Sequence, residues 1–380
     1  MENPFVLEPY HCREMFCDRE AELNRLLTNC KNGINTTLIA NRRMGKTGLI
    51  WRFFDEIKHE KMSVCPIYVD IYASHTLTDF VRSLTEAILA KYPQKTAIGK
   101  RFFTFIKTFR PVLSFDPITG APQVQISYQT TIEKEQTLKS IFDFLEKQNT
   151  PFIIAIDEFQ QIREYPEQNM EAILRTHIQT LKNIRFVFCG SKKHIMADIF
   201  SNAKKPFYAS TQFLNIDAIP KESYAKFIQL LFEERGRKIE PDALDFILEW
   251  TKRHTYYTQV LCNQIFASGV KKITLHDVKR ACKIIFLTHE SVFFQYRSLL
   301  TDHQWNFLIA VAKENFLFRA MANDFLKKYN IGTPANARRI LSALLQKELL
   351  CEHVTKDGKY YTVYDVFLSR WLETNFIIRE

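Results

Sequence analysis

Up to about residue 220, short unbroken apolar runs alternate with segments whose apolar residues recur every three or four positions. The runs at 36–40, 64–72, 151–157, 184–190 and 211–216 are rich in β-branched and aromatic residues. They are too short for buried helices and read as strands covered on both faces. Helical periodicity between them predicts an α/β architecture, a parallel sheet sandwiched by helices. One interval breaks the rhythm: residues 110–128 carry two short β-like runs around Pro117 and Gly120, the pattern of an inserted hairpin. From about Ile219 amphipathic helix patterns follow one another without a strand, which predicts a helical domain over 219–290. The remainder, 291–380, holds three short helix candidates (302–315, 321–330, 334–348) and then two β-like runs flanking Lys356-Asp357-Gly358-Lys359. Asp-Gly between such runs is a hairpin signal, and three helices with a hairpin predict a winged helix-turn-helix module. The expected organisation is a core over 1–218, a helical domain over 219–290 and a winged helix over 291–380.

Composition narrows the class without changing this outline. At 46% hydrophobic and 25% charged residues, with 32 phenylalanines, the chain can build packed cores without staples. No apolar run approaches the roughly 20 residues that span a bilayer, so no membrane partner is expected. The first residues lack the basic-then-apolar pattern of a secretory signal. The eight cysteines are scattered and form no CxxC pair, which argues against zinc ribbons and redox dithiols and favours reduced thiols in the cytoplasm. The net charge of +10 favours anionic partners: nucleotides, nucleic acid or an acidic protein.

The candidate chemistry lies where strand patterns pass into helix patterns. Ala40-Asn41-Arg42-Arg43-Met44-Gly45-Lys46-Thr47 closes the first strand and opens a helix that begins at Gly48. A loop in that position turns backbone N–H groups toward an anion at the positive end of a helix dipole. Gly45 lets the main chain approach phosphate oxygens, Lys46 reaches the β- and γ-phosphates of ATP, and the Thr47 hydroxyl joins a magnesium shell. The pattern GxxxxGK[ST] is met at every position but the first, where Ala40 replaces glycine. Asp157 and Glu158 leave the carboxyl end of an apolar strand, where unpaired carboxylates would be costly in the core. In a phosphate-loop setting Asp157 serves magnesium and Glu158 is the base that orients water; the alternative for Asp157 is a helix cap. Ser191, after the next strand, either senses the γ-phosphate or caps the following helix.

With these motifs in place the chain resembles the archaeal-type ATPases of the STAND group, relatives of the AAA+ P-loop ATPases. Phe16-Cys17-Asp18-Arg19-Glu20-Ala21-Glu22-Leu23 is similar to the family's FxxRExEL signature, which implies an adenine-side role for Phe16 and Arg19. Residues 41–50 resemble its phosphate loop, with Arg42 and Arg43 before the glycine, and residues 156–160 its acidic motif. Residues 254–259 resemble the lid segment that closes on nucleotide and imply a contact from Tyr257; Arg253 and Thr255 stand where the family usually has Gly-x-Pro. The resemblance implies an ATP-hydrolysing switch that couples nucleotide state to a protein partner or to another copy of itself.

The winged helix leaves a second reading open. On the third helix Ile340, Leu341, Leu344 and Leu345 form an apolar face, leaving Asn336, Arg339 and Gln346 toward solvent. Arg339 would suit base edges of duplex DNA, and Lys356 and Lys359 on the wing would suit phosphates. The module is only mildly basic, however, so packing against the rest of the chain is the competing expectation.

Overall fold

The computed structural model describes residues 2–93, 95–109, 111–125, 130–356 and 358–376. The chain falls into two compact units, Glu8–Asp217 and Met1–Leu7 with Ala218–Glu380.

The first unit runs α1 (Glu20–Lys31), β1 (Thr36–Ala40), α2 (Lys46–His59), β2 (Cys65–Asp70), α3 (Leu77–Lys91), α4 (Ala97–Lys107), β3 (Val112–Phe115), β4 (Pro122–Gln125), α5 (Thr131–Glu146), β5 (Phe152–Asp157), a 3-10 turn (Phe159–Glu164), α6 (Met170–Ile178), β6 (Ile184–Gly190), α7 (Lys193–Ser201) and β7 (Gln212–Ile216). The five apolar runs of the sequence form one parallel sheet in the order β2-β5-β6-β1-β7. Every residue of β1 and β5 is buried, which is why both read as continuous apolar runs rather than alternating ones. A dense phenylalanine cluster lies against the sheet: Phe159, Phe188, Phe200 and Phe207 pack with ring centroids 4.6–5.6 Å apart. Strands β3 and β4 pair antiparallel as a separate hairpin. Arg110 and residues 126–128 of the expected hairpin segment lie outside the described residues.

This strand order places the chemistry. Strand β6 lies between β1 and β5, so its carboxyl end separates the loop after β1 from the acidic pair after β5. Ligands of open α/β sheets bind at that carboxyl edge.

The second unit runs α8 (Lys221–Glu233), β8 (Lys238–Ile239), α9 (Pro241–Trp250), α10 (Thr255–Ala267), β9 (Lys272–Ile273), α11 (Leu275–Ser298), α12 (Asp302–Glu314), α13 (Asn323–Lys328), α14 (Pro334–Gln346), β10 (Leu350–Thr355), β11 (Gly358–Val363) and α15 (Val366–Asn375). Helices α12 to α14 with the β10–β11 hairpin form the winged helix; Asp357 of the expected Asp-Gly signal lies outside the described residues. The long α11 starts at a capping box, Thr274 with Asp277, and continues through residue 290. Helix α15 has no counterpart in the sequence reading. Asp365 caps it, and it buries Phe367, Leu368, Trp371 and Leu372. It stitches the module to the helical segment: Phe367 packs on Trp250 and Tyr257, and the Arg370 guanidinium donates to the carbonyls of Glu249 and Trp250 at 3.0 and 2.9 Å. Those carbonyls close α9, where intrahelical donors run out.

Residues 2–7 also belong to this unit. Two side-chain amides tie them down: Asn3 Nδ2 donates to Asn263 O and Asn263 Nδ2 donates to Phe5 O. Phe5 is fully buried against Phe232 and Phe266.

Candidate functional site

The loop between β1 and α2 alternates its backbone hand: Arg43 has φ +64° and Gly45 φ +89°. Such alternation gathers N–H groups into a concavity at the start of α2, a ready anion site. Ala40 is fully buried and Met44 buried, while Arg42 and Arg43 face solvent and Asn41 and Gly45 are half-buried. Arg42 lies over the Tyr72 ring at 5.7 Å.

Lys46 opens α2, yet only 7% of it is exposed. Its ammonium sits 2.5 Å from Asp157 Oδ1 and 2.8 Å from Glu158 Oε1. Thr47 Oγ1 and the Tyr68 hydroxyl donate to the other Asp157 oxygen, at 2.9 and 2.8 Å. Glu158, at φ +54°, occupies a backbone region that costs a non-glycine residue energy and that recurs at functional sites. Its Oε2 accepts from Ser191 Oγ at 2.7 Å and from Gln160 Nε2. The structure thus brings together Lys46, Thr47, Asp157, Glu158 and Ser191. Tyr68 and Gln160 were not singled out in the sequence. Tyr68 was hidden among strand residues, whereas Gln160 stands inside the quoted acidic motif and could have been found there.

The charges are tightly coupled. Burial alone would lower the Lys46 ammonium, but Asp157 and Glu158 outweigh it and hold the group above its usual range. Burial likewise opposes ionisation of both acids; Lys46, helped by their hydroxyl and amide donors, keeps them below the ordinary carboxylate range. Asp70, whose Cα pairs with Asp157 across the β2–β5 register, is pushed up by burial and by the two acids, against the backbone N–H of Tyr72.

Gly48 explains why no side chain stands there. A Cβ would lie 2.2 Å from the Pro9 carbonyl oxygen and 3.2 Å from the Phe16 ring. The segment over residues 9–16 therefore crosses directly on the first turn of α2, and Phe16 meets Tyr10 edge-on at 5.8 Å. Gly48→Ala should cost about 1–3 kcal/mol, the scale of overpacking against backbone that cannot move aside; a lower thermal midpoint of the purified variant checks it.

Arg19 is buried, with φ +78°, and donates to the Asp217 carbonyl at 2.6 Å and to Glu22 Oε1 at 3.0 Å. Tyr257 belongs to the other unit, 2% exposed, with His254, Tyr256 and Phe367 around its ring. Arg339 is exposed on α14 and donates to Asn336 Oδ1 at 3.2 Å; Lys356 is exposed, and Lys359 pairs with Glu352 at 2.7 Å.

A strand-to-helix anion loop, a buried lysine and an acidic pair on the sheet's carboxyl edge now stand together. Residues 16–253 match the family described as "ATPase domain predominantly from Archaea". The chain belongs to that family. Residues 291–374 of this ATPase match a second family, "Probable winged helix domain". The ATPase is similar to a Walker-type ATPase of Pyrococcus abyssi, with a TM-score of 0.67 at 19% identity over 97% of this chain and 99% of that one. It is also similar to the ORC2 protein of Aeropyrum pernix in ADPNP–ADP complexes, with TM-score 0.59, 16% identity and coverage of 98% and 95%. The Aeropyrum pernix ORC1 protein, solved in complex with DNA, gives 0.53, 16%, 98% and 96%. At these identities the likenesses show the fold. No protein with a curated description matches the chain. Among the described residues, no helix is long and apolar enough to cross a membrane.

The donor set fits magnesium. Thr47 and Asp157 offer hard oxygens 2.9 Å apart, and this ion commonly takes one or two protein carboxylates and completes its octahedron with phosphate and water.

Proposed function

We propose that the ATPase is a magnesium-dependent switch in the STAND manner, whose hydrolytic centre is Lys46, Thr47, Asp157 and Glu158 and whose output is a protein partner or another copy of the chain. The observation that carries this reading is the placement of Lys46 between the two carboxylates, with Ser191 and Gln160 fixing the far side of Glu158. The N–H groups over Asn41–Gly48 and the Lys46 ammonium would hold the β- and γ-phosphates. Thr47 and Asp157 would hold magnesium, which neutralises charge on the phosphates. Phe16 and Arg19, beside the crossing segment, fit the adenine side, and Tyr257 would act by shaping the turn that starts α10. The free thiols throughout the described residues suit a reducing cytoplasm.

The chemistry follows from what Lys46 leaves behind. When its ammonium turns to phosphate, Glu158 loses the cation that keeps its basicity low. Glu158 then orients a water and accepts its proton as the water oxygen bonds to the γ-phosphorus. The bond to the β-bridging oxygen breaks, and ADP carries away that electron pair. Ser191, which donates a hydrogen bond to Glu158, would report the loss of the γ-phosphate. Measuring ATP turnover with magnesium and with excess chelator tests this reading; turnover indifferent to the chelator would sink it.

The exposed Arg339 and Lys356 favour a second reading, duplex DNA binding by the winged helix, and the DNA complex of the ORC1 relative supports it. If this holds, replacing Lys356 and Lys359 by alanine weakens duplex binding for every sequence and flattens its salt dependence by about two phosphate contacts. Arg339→Ala then costs roughly 1–3 kcal/mol and relaxes sequence preference. Fluorescence anisotropy at two salt concentrations reads both; unchanged duplex affinity in all variants leaves only the switch reading.

A further inference from the structure

We propose that one face of the wing sheet is a stacking surface for the bases of single-stranded nucleic acid. The face is built at a single β-bridge. Leu317 exchanges both backbone hydrogen bonds with Tyr361, N to O at 3.0 and 2.9 Å, which seats it beside β11. Leu317 is buried, whereas its neighbours Phe316 and Phe318 stand out on the exposed side. There they meet Tyr360, with ring centroids 5.4 and 5.3 Å apart, and His353 stacks on Tyr360 at 4.7 Å with 9° between the planes. Phe316 and Phe318 are 51% and 53% exposed.

Four planar side chains, two of them half in water, make a contiguous patch that a chain gains nothing from displaying without a partner. The charges around it choose the partner. The Lys252 ammonium lies 5.7 Å from the Phe316 ring, and the exposed Arg319 follows Phe318. The β10–β11 register puts Glu352 and its partner Lys359 on the opposite face. Glu314 is occupied by Lys328 at 2.7 Å and by the Tyr329 hydroxyl. An aromatic layer flanked by cations, with these acids turned away or engaged, matches a polyanion that carries flat apolar rings. Every base offers such a ring, so the surface would tolerate sequence. A duplex hides its base faces in the stack, which separates this site from the phosphate and base-edge contacts of Arg339 and Lys356.

The test is fluorescence anisotropy of a labelled oligothymidylate, and of a blunt duplex of equal length, with the full chain and no nucleotide. The expected result is tighter binding of the single strand, lost by about tenfold or more in Phe316→Ala/Phe318→Ala and kept in Phe318→Trp. Should the double variant lose its thermal transition, the single change Phe318→Ser, on an exposed ring, decides in its place. The idea is overturned if wild type prefers duplex, or if the alanine variant that folds binds the oligonucleotide unchanged. It is equally overturned if size-exclusion chromatography shows wild-type dimers that these changes dissolve, because the face is then an interface between copies. The measurement needs no ATP and reads residues outside the hydrolytic centre, so failure here and failure of that centre are told apart.

Discussion

The Lys46→Ala protein should turn over no measurable ATP and bind nucleotide at least about tenfold more weakly, since one charge-assisted hydrogen bond contributes about 1.5–3 kcal/mol. The reason lies in its burial: among the groups that surround Asp157 and Glu158, Lys46 is the cation in contact with both. Its removal also leaves the buried Asp157 carboxylate without its cation beside the half-buried Glu158, a defect on the order of 3–5 kcal/mol. The thermal midpoint should therefore fall at neutral pH, and the deficit should have a definite pH dependence. In wild type the folded carboxylates titrate below their ordinary values of 3.8 and 4.5. Their pairing thus stabilises fully above about pH 4.5 and fades as pH drops through the lower folded values. In the variant, protonation relieves the repulsion, so the gap between the two proteins should narrow as pH falls from 7 toward 4. Titration calorimetry with ATP, a phosphate-release assay and melts across that range check the three statements. Unchanged affinity and turnover would remove Lys46 from the site.

Glu158→Gln should separate binding from chemistry. The amide keeps the length and shape of the side chain, and its oxygen can still face Lys46. On the other side its NH2 meets Ser191, which can accept, and the Gln160 amide, which must flip its oxygen inward. ATP should then bind with near-normal affinity while turnover drops about 100-fold or more, the scale of a lost positioned base. Single-turnover measurement with saturating ATP isolates this step. Wild-type turnover in the variant would mean that Glu158 is not the base.

Much of this architecture was legible because strands rich in β-branched and aromatic residues stand out between helical periods. β1, β5 and β6 are buried along nearly their whole length and read as unbroken apolar runs, while β2 and β7 are only partly covered and are legible by composition. The central residues were legible for a related reason. Asp157 and Glu158 are charged groups at the end of an apolar strand, where the core cannot keep them unpaired, and Lys46 stands at the GK[ST] spacing of a strand-to-helix loop. Tyr68 was not, because a tyrosine in a strand has the same pattern whether its hydroxyl meets water or Asp157. Gly48 reads in the sequence as part of the phosphate loop, while its steric role against Pro9 depends on a chain crossing that local periodicity does not encode. Helix α15 escaped because its ten residues offer a single short stripe, Leu368, Trp371 and Leu372, directly after the β-like run of the wing, which is too little periodicity to set it apart from that run. The aromatic face of the wing escaped too, since Phe316 and Phe318 gain a shared face only through the backbone bridge to Tyr361.

The seat of Phe5 has a consequence for biosynthesis. Residues 8–217 are contiguous, so every strand of the ATPase sheet has been made once Ile216 leaves the ribosome, and a domain can fold as it emerges. Residues 2–7 belong to a structure that does not yet exist at that moment: Phe232, Asn263 and Phe266 are still to be translated. Phe5 must therefore wait in solvent through the synthesis of more than half the chain, an apolar segment within reach of any chaperone, until α8 and α10 close around it.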